Sequence, residues 1–149
     1  MKKYIILIFI FIISCVNDEF EIKDINNISI LEFSSEKALN EIIKTKNLII
    51  LREILYISID VSLNNILNHN TTSTDVKEMP YKYQYIFIND SLEWEVLKKE
   101  IYKYVYDPLH PDSIQTGEMM GFVIYPDINI INEQENINKI LDILFNINK

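Results

Sequence analysis

The sequence predicts an α+β fold in which a long N-terminal helix and a C-terminal helix pack together, with a small β-rich insert between them. Two observations lead to this fold class. Apolar residues recur at helical spacing in the first half of the chain and again at its end, whereas between them aromatic and polar residues alternate with the period of a strand. A chain of 149 residues is long enough for one domain with a buried core, and no repeat or low-complexity linker divides it.

The N-terminus has the features of an export signal. Lys2 and Lys3 precede an apolar run over residues 4–13, which as a helix would be about 15 Å long and too short to cross a hydrocarbon core of about 30 Å. Ser14 and Cys15 follow, and this end of the run resembles the lipobox of bacterial lipoproteins. The resemblance implies removal of a signal peptide, residues 1–14, and covalent lipid on Cys15. The alternative is an ordinary secretory signal in which a cysteine happens to follow the cleavage site.

After cleavage the chain would be strongly acidic. Removing the signal leaves 12 of the 14 basic residues against 22 acidic ones, so the net charge goes from −8 to −10. This balance argues against nucleic acid as a partner and against electrostatic docking on anionic lipid, because both reward Lys and Arg. We therefore expect the covalent lipid to hold the protein on the membrane.

Residues 15–33 are predicted to tether the folded domain, residues 34–149, to that lipid. The N-terminal helix of the domain is predicted over 35–68, with Ser34 or Ser35 as its cap. Six apolar residues then share one helical face: Leu39, Ile43, Ile50, Ile54, Ile57 and Val61. An asparagine-rich run after residue 63 closes the helix, because asparagine side chains compete for main-chain hydrogen bonds.

The β-rich insert is predicted over 80–128. Alternating residues over 81–88 predict one strand, and 97–105 is predicted to pair with it after a turn at 89–91. A short helix at the end of the second segment fits the pattern as well.

Two prolines, Pro108 and Pro111, then exclude regular structure in the segment that follows. A further short strand is predicted over 122–125. The C-terminal helix is predicted over 132–148, where five apolar residues share a face: Ile137, Ile140, Leu141, Leu144 and Ile147.

Two blocks of residues carry a resemblance to flagellar basal-body rod proteins. The first block is Asp60-Val61, Asn64-Asn65-Ile66, Asn68 and Thr71-Thr72, followed by Pro80-Tyr81. The second block is Tyr106-Asp107-Pro108, His110-Pro111-Asp112, Gly121, Val123, Pro126, Asn129 and Glu133. In its order and spacing, the second block is similar to the signature of the proximal rod protein FlgC family.

The resemblance implies a structural protein without catalysis or cofactor, whose partners are rod proteins or further copies of itself. In that family the terminal helices pack together, the middle forms a β-rich cap, and subunits stack into the flagellar rod. By the same resemblance, Asn64, Asn65 and Asn68 would lie where neighbouring subunits meet. The segment 106–112 would brace the cap against the helices.

Three features depart from the family: the lipoprotein signal, the short middle segment, and a last helix that stops at Lys149. They favour a membrane-tethered relative of the rod proteins in the cell envelope, either on the periplasmic side at the basal body or at the outer membrane or surface. The alternative is an envelope or surface lipoprotein of the binding type that keeps the fold without a flagellar role.

Side chains suited to chemistry are few. Asp107, His110 and Asp112 could be drawn as a metal site, but a histidine between two prolines is better explained as part of a braced turn. The serines lack the glycines of a nucleophile elbow. We therefore expect no catalytic residue and no bound metal.

Overall fold

The computed structural model describes residues 25–45, 48–73 and 80–147. The predicted signal peptide and Cys15 lie outside these residues. Within them a short 3₁₀ turn at Ile25–Asn27 precedes eight regular elements. In chain order these are strand β1 (Leu31–Phe33), helices α1 (Glu36–Thr45) and α2 (Leu48–Asn68), strands β2 (Tyr83–Ile88), β3 (Trp94–Lys99), β4 (Tyr102–Tyr106) and β5 (Phe122–Pro126), and helix α3 (Ile130–Ile147).

The strands form two sheets. One has the order β1-β2-β3, in which β1 runs parallel to β2 and β3 runs antiparallel to it. The turn between β2 and β3 is held by Asn89, whose Oδ1 accepts hydrogen bonds from the main-chain N–H groups of Ser91 and Glu93 at 2.9 and 3.0 Å. The other sheet is the antiparallel pair β4-β5, in which Tyr106 lies opposite Phe122.

The predicted fold class is wrong, because the strands are not an insert between two helices. β1 precedes the first helix and pairs with β2, and the described part of the chain has three helices and two sheets. Residues 25–33, which the sequence assigned to a tether, place Ile25, Ile28 and Ile30 in the core with at most 1% of each side chain exposed. A strand of three residues is too short to show the alternation by which strands are recognised.

The central strands also differ from the prediction. The predicted strand 97–105 is divided between β3, which ends at Lys99, and β4, which begins at Tyr102 in the other sheet. The hairpin partner of β2 therefore begins earlier, at Trp94, which lies opposite Ile88.

The core lies between the helix pair α2–α3 and the three-stranded sheet. Its largest contributors from α2 are Leu51, Ile54 and Leu55, which pack with apolar side chains of β2 and α3. The cluster residues of β2 and α3 are Ile86, Ile88, Ile140, Ile143 and Leu144. Burying a side chain of this size stabilises the fold by about 1.5–3 kcal/mol, which explains why helices and sheet form together.

The helix ends are capped by side chains. Ser35 Oγ accepts a hydrogen bond from the Ala38 N–H at 3.3 Å and so caps α1. Asn129 caps α3, because its Oδ1 accepts hydrogen bonds from the N–H groups of Ile131 and Asn132 at 3.0 and 3.3 Å. No helix among the described residues is long and apolar enough to span a membrane.

Candidate functional site

The two motif blocks meet where α2 ends, and Asn65 is the first of the residues that join them. This side chain is fully buried on α2. Its Oδ1 accepts hydrogen bonds from the Gln84 N–H and the Tyr81 O–H, both at 3.0 Å, and its Nδ2 donates to Gln84 O at 2.9 Å. All the polar atoms of the amide thus have partners.

The position of Gln84 explains why an amide is needed there. Ile86 lies two residues after Gln84 in β2. Its N–H donates at 2.8 Å to the main-chain oxygen of Ile30, the residue just before β1. Residues two apart in a strand direct their main-chain groups to the same side, so Gln84 faces the same way, beyond the reach of β1. Asn65 continues the pairing that β1 begins, because its side-chain amide offers one donor and one acceptor in the geometry of a main-chain partner.

Glu133 of the second block lies beside Asn65 in this junction. Only 2% of its surface is exposed, although it is in the first turn of α3. The side chains that face its carboxyl are Ser62, Asn65, Tyr83 and Asn136. We call these five residues, together with Tyr81, the polar junction.

Burial is the main influence on the pKa of Glu133. It raises the pKa of the carboxyl, and the neighbouring hydroxyl and amide groups, which can donate to a carboxylate, offset part of that rise. A helix N-terminus favours a carboxylate by about 0.3–1 kcal/mol, but burying a charge costs several kcal/mol, so burial outweighs the helix N-terminus and the pKa stays raised. Burial and Glu133 together raise the pKa of Tyr81 to about 12, and they raise the pKa of Tyr83 as well.

Asn136 connects the polar junction to the start of the described chain. Its Oδ1 accepts a hydrogen bond from the Ser29 N–H at 3.0 Å, and its Nδ2 donates to Ser29 Oγ at 3.0 Å. Ser29, Ser62, Tyr83 and Asn136 are absent from the sequence-based set of site residues. The i, i+3 spacing of Glu133 and Asn136 was a usable signal, since it places both on one face of a helix.

The threonines after α2 join the first block to the second. Thr71 Oγ1 donates to Asn68 O at 2.9 Å and accepts a hydrogen bond from the Tyr81 N–H at 3.3 Å. Thr72 Oγ1 donates to Asp112 Oδ2 at 2.5 Å. The segment that leaves α2 is thus fixed both to the start of β2 and to the loop before β5.

The loop 107–112 is held by its own hydrogen bonds. The Asp107 N–H donates to Gly121 O at 2.8 Å, and the His110 N–H donates to Asp107 O at 3.1 Å. His110 Nδ1 accepts a hydrogen bond from the Asp112 N–H at 3.0 Å, so this nitrogen serves as an acceptor within the turn. Among the residues that the structure describes, no three His, Cys, Asp or Glu side chains are placed to hold a metal ion.

Gly121 fits this loop for two reasons. Its φ is +83°, a conformation that residues with a Cβ rarely adopt. A Cβ atom at this position would lie 2.7 Å from Tyr106 Cε2 and 3.3 Å from Pro108 Cβ. Tyr106 also packs edge-on against Phe122, with ring centroids 5.2 Å apart, although most of its surface is exposed.

The remaining motif residues do not belong to the polar junction. Asp60, Asn64, Tyr106, Asp107, Pro108, Pro111 and Asn129 are exposed, and Asn68, His110 and Asp112 are half-buried. Pro126 is buried at the end of β5.

The outward face of α2 is the second candidate surface. Ile49, Tyr56, Leu63 and Leu67 are 78%, 56%, 43% and 77% exposed. At 3.6 residues per turn they form a stripe on the side opposite the core residues, which we call the outward stripe. Exposed acidic side chains, Glu53 and Asp60, lie along one edge of it. Helix α2 is therefore apolar on two opposite sides, and the core of the described residues covers only one of them.

Comparison with known proteins finds similarity to a flagellar protein. No family model matches the chain. The chain is 33% identical over 99 residues to the flagellar basal-body rod protein FlgC of Borreliella burgdorferi, an alignment that covers 50% of this chain. The chain spans 64% of that relative's length. This similarity supports a FlgC-like origin, whereas the lipoprotein signal stays a prediction.

Proposed function

We propose that this protein is a structural, non-enzymatic component of the flagellar basal-body rod, or an accessory to it, held on a membrane by lipid on Cys15. The similarity to a rod protein carries this proposal. Its partners would be rod proteins or further copies of the chain, and it would lie in the cell envelope on the periplasmic side.

The geometry supports such a role in two ways. The polar junction joins α2, α3 and β2 through buried hydrogen bonds, which suits a subunit that must keep its shape under load. The outward stripe, from Ile49 to Leu67, gives the same helix an apolar surface about 27 Å long at 1.5 Å per residue. Association with another helix is the ordinary way to cover such a stripe.

Composition analysis of purified basal bodies tests the flagellar role. We expect mass spectrometry to detect the protein in basal bodies from the native bacterium, and we expect its deletion to impair rod assembly or motility. A protein that is never found in basal bodies, and whose deletion leaves rods and motility intact, would refute the role.

The lipid anchor is tested separately. Cys15→Ala should abolish incorporation of labelled fatty acid and move the protein out of the membrane fraction. Ser14→Gly is a suitable control, because it keeps both a small residue before the cysteine and the cysteine itself. An unchanged membrane fraction and no label on the wild-type chain would contradict the lipobox interpretation.

The predicted export signal favours a second candidate, a surface lipoprotein of the binding type that keeps the fold without a flagellar role. Protease treatment of intact cells separates the two. Cleavage of the chain on intact cells favours the surface protein, and protection until the envelope is opened favours the basal-body protein.

A further inference from the structure

We propose that Glu133 makes the packing of α3 against α2 and β2 dependent on pH. The junction is closed while the Glu133 carboxyl keeps its proton, and it loosens when that proton is lost. The proposal stands on the polar junction alone and does not depend on a flagellar role.

The first ground is the absence of a compensating charge. Ser62 and Asn65 face the Glu133 carboxyl from α2, Tyr83 faces it from β2, and Asn136 faces it from α3 itself. All four side chains are neutral. No Lys, Arg or His is among the described groups that act on this carboxyl.

The charged groups of the neighbouring elements do not supply one either. Glu32 of β1 acts on Tyr83 and has the same sign as an ionised Glu133. Arg52 of α2 donates to Ile147 O at 3.3 Å, and Lys139 of α3 donates to Asn27 O at 3.1 Å. Both cations are thus directed to main-chain oxygens elsewhere, and an ionised Glu133 would be a buried charge without a counterion.

The second ground is a pair of buried atoms without partners. Among the described residues, Glu133 Oε2 and Ser62 Oγ are both buried and lack a hydrogen-bond partner of standard geometry. A protonated carboxyl has one O–H to donate, and Ser62, which faces this carboxyl, has a hydroxyl oxygen that can accept it. The protonated form can therefore satisfy both atoms without water and without a cation.

The sign of the pH dependence follows from burial. Because the pKa of Glu133 is raised in the folded protein, the folded state binds this proton more tightly than the unfolded state does. The contribution to stability is full below the ordinary glutamate pKa of about 4.3. As pH rises from there to the folded-state pKa, the folding equilibrium constant falls about tenfold per pH unit, and above that pKa the loss is complete.

The test compares three full-length proteins purified in a non-ionic detergent: wild type, Glu133→Gln and Glu135→Gln. Gln keeps the shape of the protonated carboxyl but cannot ionise. Glu135 is exposed on the same helix, so its variant removes the same charge outside the junction. Unfolding in urea is followed by Trp94 fluorescence from pH 4 to pH 8, and hydrogen exchange at the Gln84 N–H reports on the junction itself.

We expect wild type and Glu135→Gln to lose stability in parallel above pH 4.3. In both proteins the Gln84 N–H should become less protected from exchange as the pH rises. Glu133→Gln should lack this loss, and its Gln84 N–H should stay protected at pH 8. Equal pH slopes in all three proteins would overturn the proposal.

A direct titration keeps the proposal falsifiable if Glu133→Gln does not fold. The ¹³C signal of the Glu133 carboxyl in the wild-type protein should show its inflection well above the ordinary glutamate pKa of about 4.3. An inflection at or below that value would overturn the proposal, whatever the variant does.

Discussion

The two sides of α2 are both apolar, yet only one of them is covered. On the inward side Leu51, Ile54 and Leu55 are buried, and the helix ends in the hydrogen-bonded amide of Asn65. On the outward side the four residues of the outward stripe are 43–78% exposed. Burial on the inward side therefore fixes the fold, and we propose that the outward side serves association.

The comparison also separates two kinds of polar residue. The amide of Asn65 is fully buried and makes three hydrogen bonds, whereas its neighbour Asn64 in the same motif is exposed. Neighbouring asparagines in one motif thus differ in what they do.

The largest effect is expected in the apolar core. Ile54→Ala should lower the free energy of unfolding by about 2–5 kcal/mol, because it removes buried methyl groups and leaves a cavity. Ile49→Ala, on the outward stripe of the same helix, should change it by less than about 0.5 kcal/mol. Urea denaturation measures both, and equal losses would show that the two sides of α2 do not differ in burial.

The next effect is expected at the polar junction. Asn65→Ala should cost about 2–4 kcal/mol, since it leaves the Gln84 main-chain groups and the Tyr81 hydroxyl without their partner. Asn64→Ala is the matched control and should be nearly neutral. Hydrogen exchange at the Gln84 N–H should rise only in the Asn65 variant, and exchange at the wild-type rate would contradict the proposed role of the amide.

A smaller effect separates the two glycines. Both have φ +83°, but a Cβ at Gly117 would meet nothing within 4 Å, whereas one at Gly121 would lie 2.7 Å from the Tyr106 ring. Gly117→Ala should therefore show backbone strain alone, about 1 kcal/mol, and Gly121→Ala about 1–3 kcal/mol more. Thermal unfolding of the two variants gives the difference, and the contact with Tyr106 would be unimportant if they melted together.

The smallest effect on stability is expected on the outward stripe. Tyr56→Lys combined with Leu67→Lys should change the free energy of unfolding by less than about 0.5 kcal/mol, because both side chains are more than half exposed and Lys is a good helix former. Glu53→Lys is the control, since it adds a positive charge beside the stripe without removing apolar surface. A large loss of stability in the double variant would mean that the stripe belongs to the fold.

The sequence predicted the long periodic elements better than the short ones. Helices α2 and α3 show apolar residues at helical spacing, and β2 alternates clearly, but where one helix was predicted over 35–68 the structure describes two, α1 and α2. β1 was missed because three residues carry no period. The division between β3 and β4 was missed because the two residues that connect them, Glu100 and Ile101, are neither glycine nor proline, the residues that usually mark a break.

The polar junction could be predicted only in part. The motif blocks pointed to Asn65 through its neighbours in sequence, and Glu133 was part of the second block. Nothing in the local sequence shows that these two residues lie in one junction, because their proximity depends on how α3 packs on α2. Tyr83 was predicted as a strand residue, and its place beside Glu133 likewise follows from tertiary packing.

The central claim is that the outward stripe serves association in the basal body while the inward side holds the fold. The most direct test is to quantify the protein in purified basal bodies from cells that express wild type, Glu53→Lys or the Tyr56→Lys and Leu67→Lys double variant at equal levels. We predict that wild type and Glu53→Lys are present and that the folded double variant is lost. Equal amounts of all three, or no wild-type protein in the basal bodies, would contradict the claim.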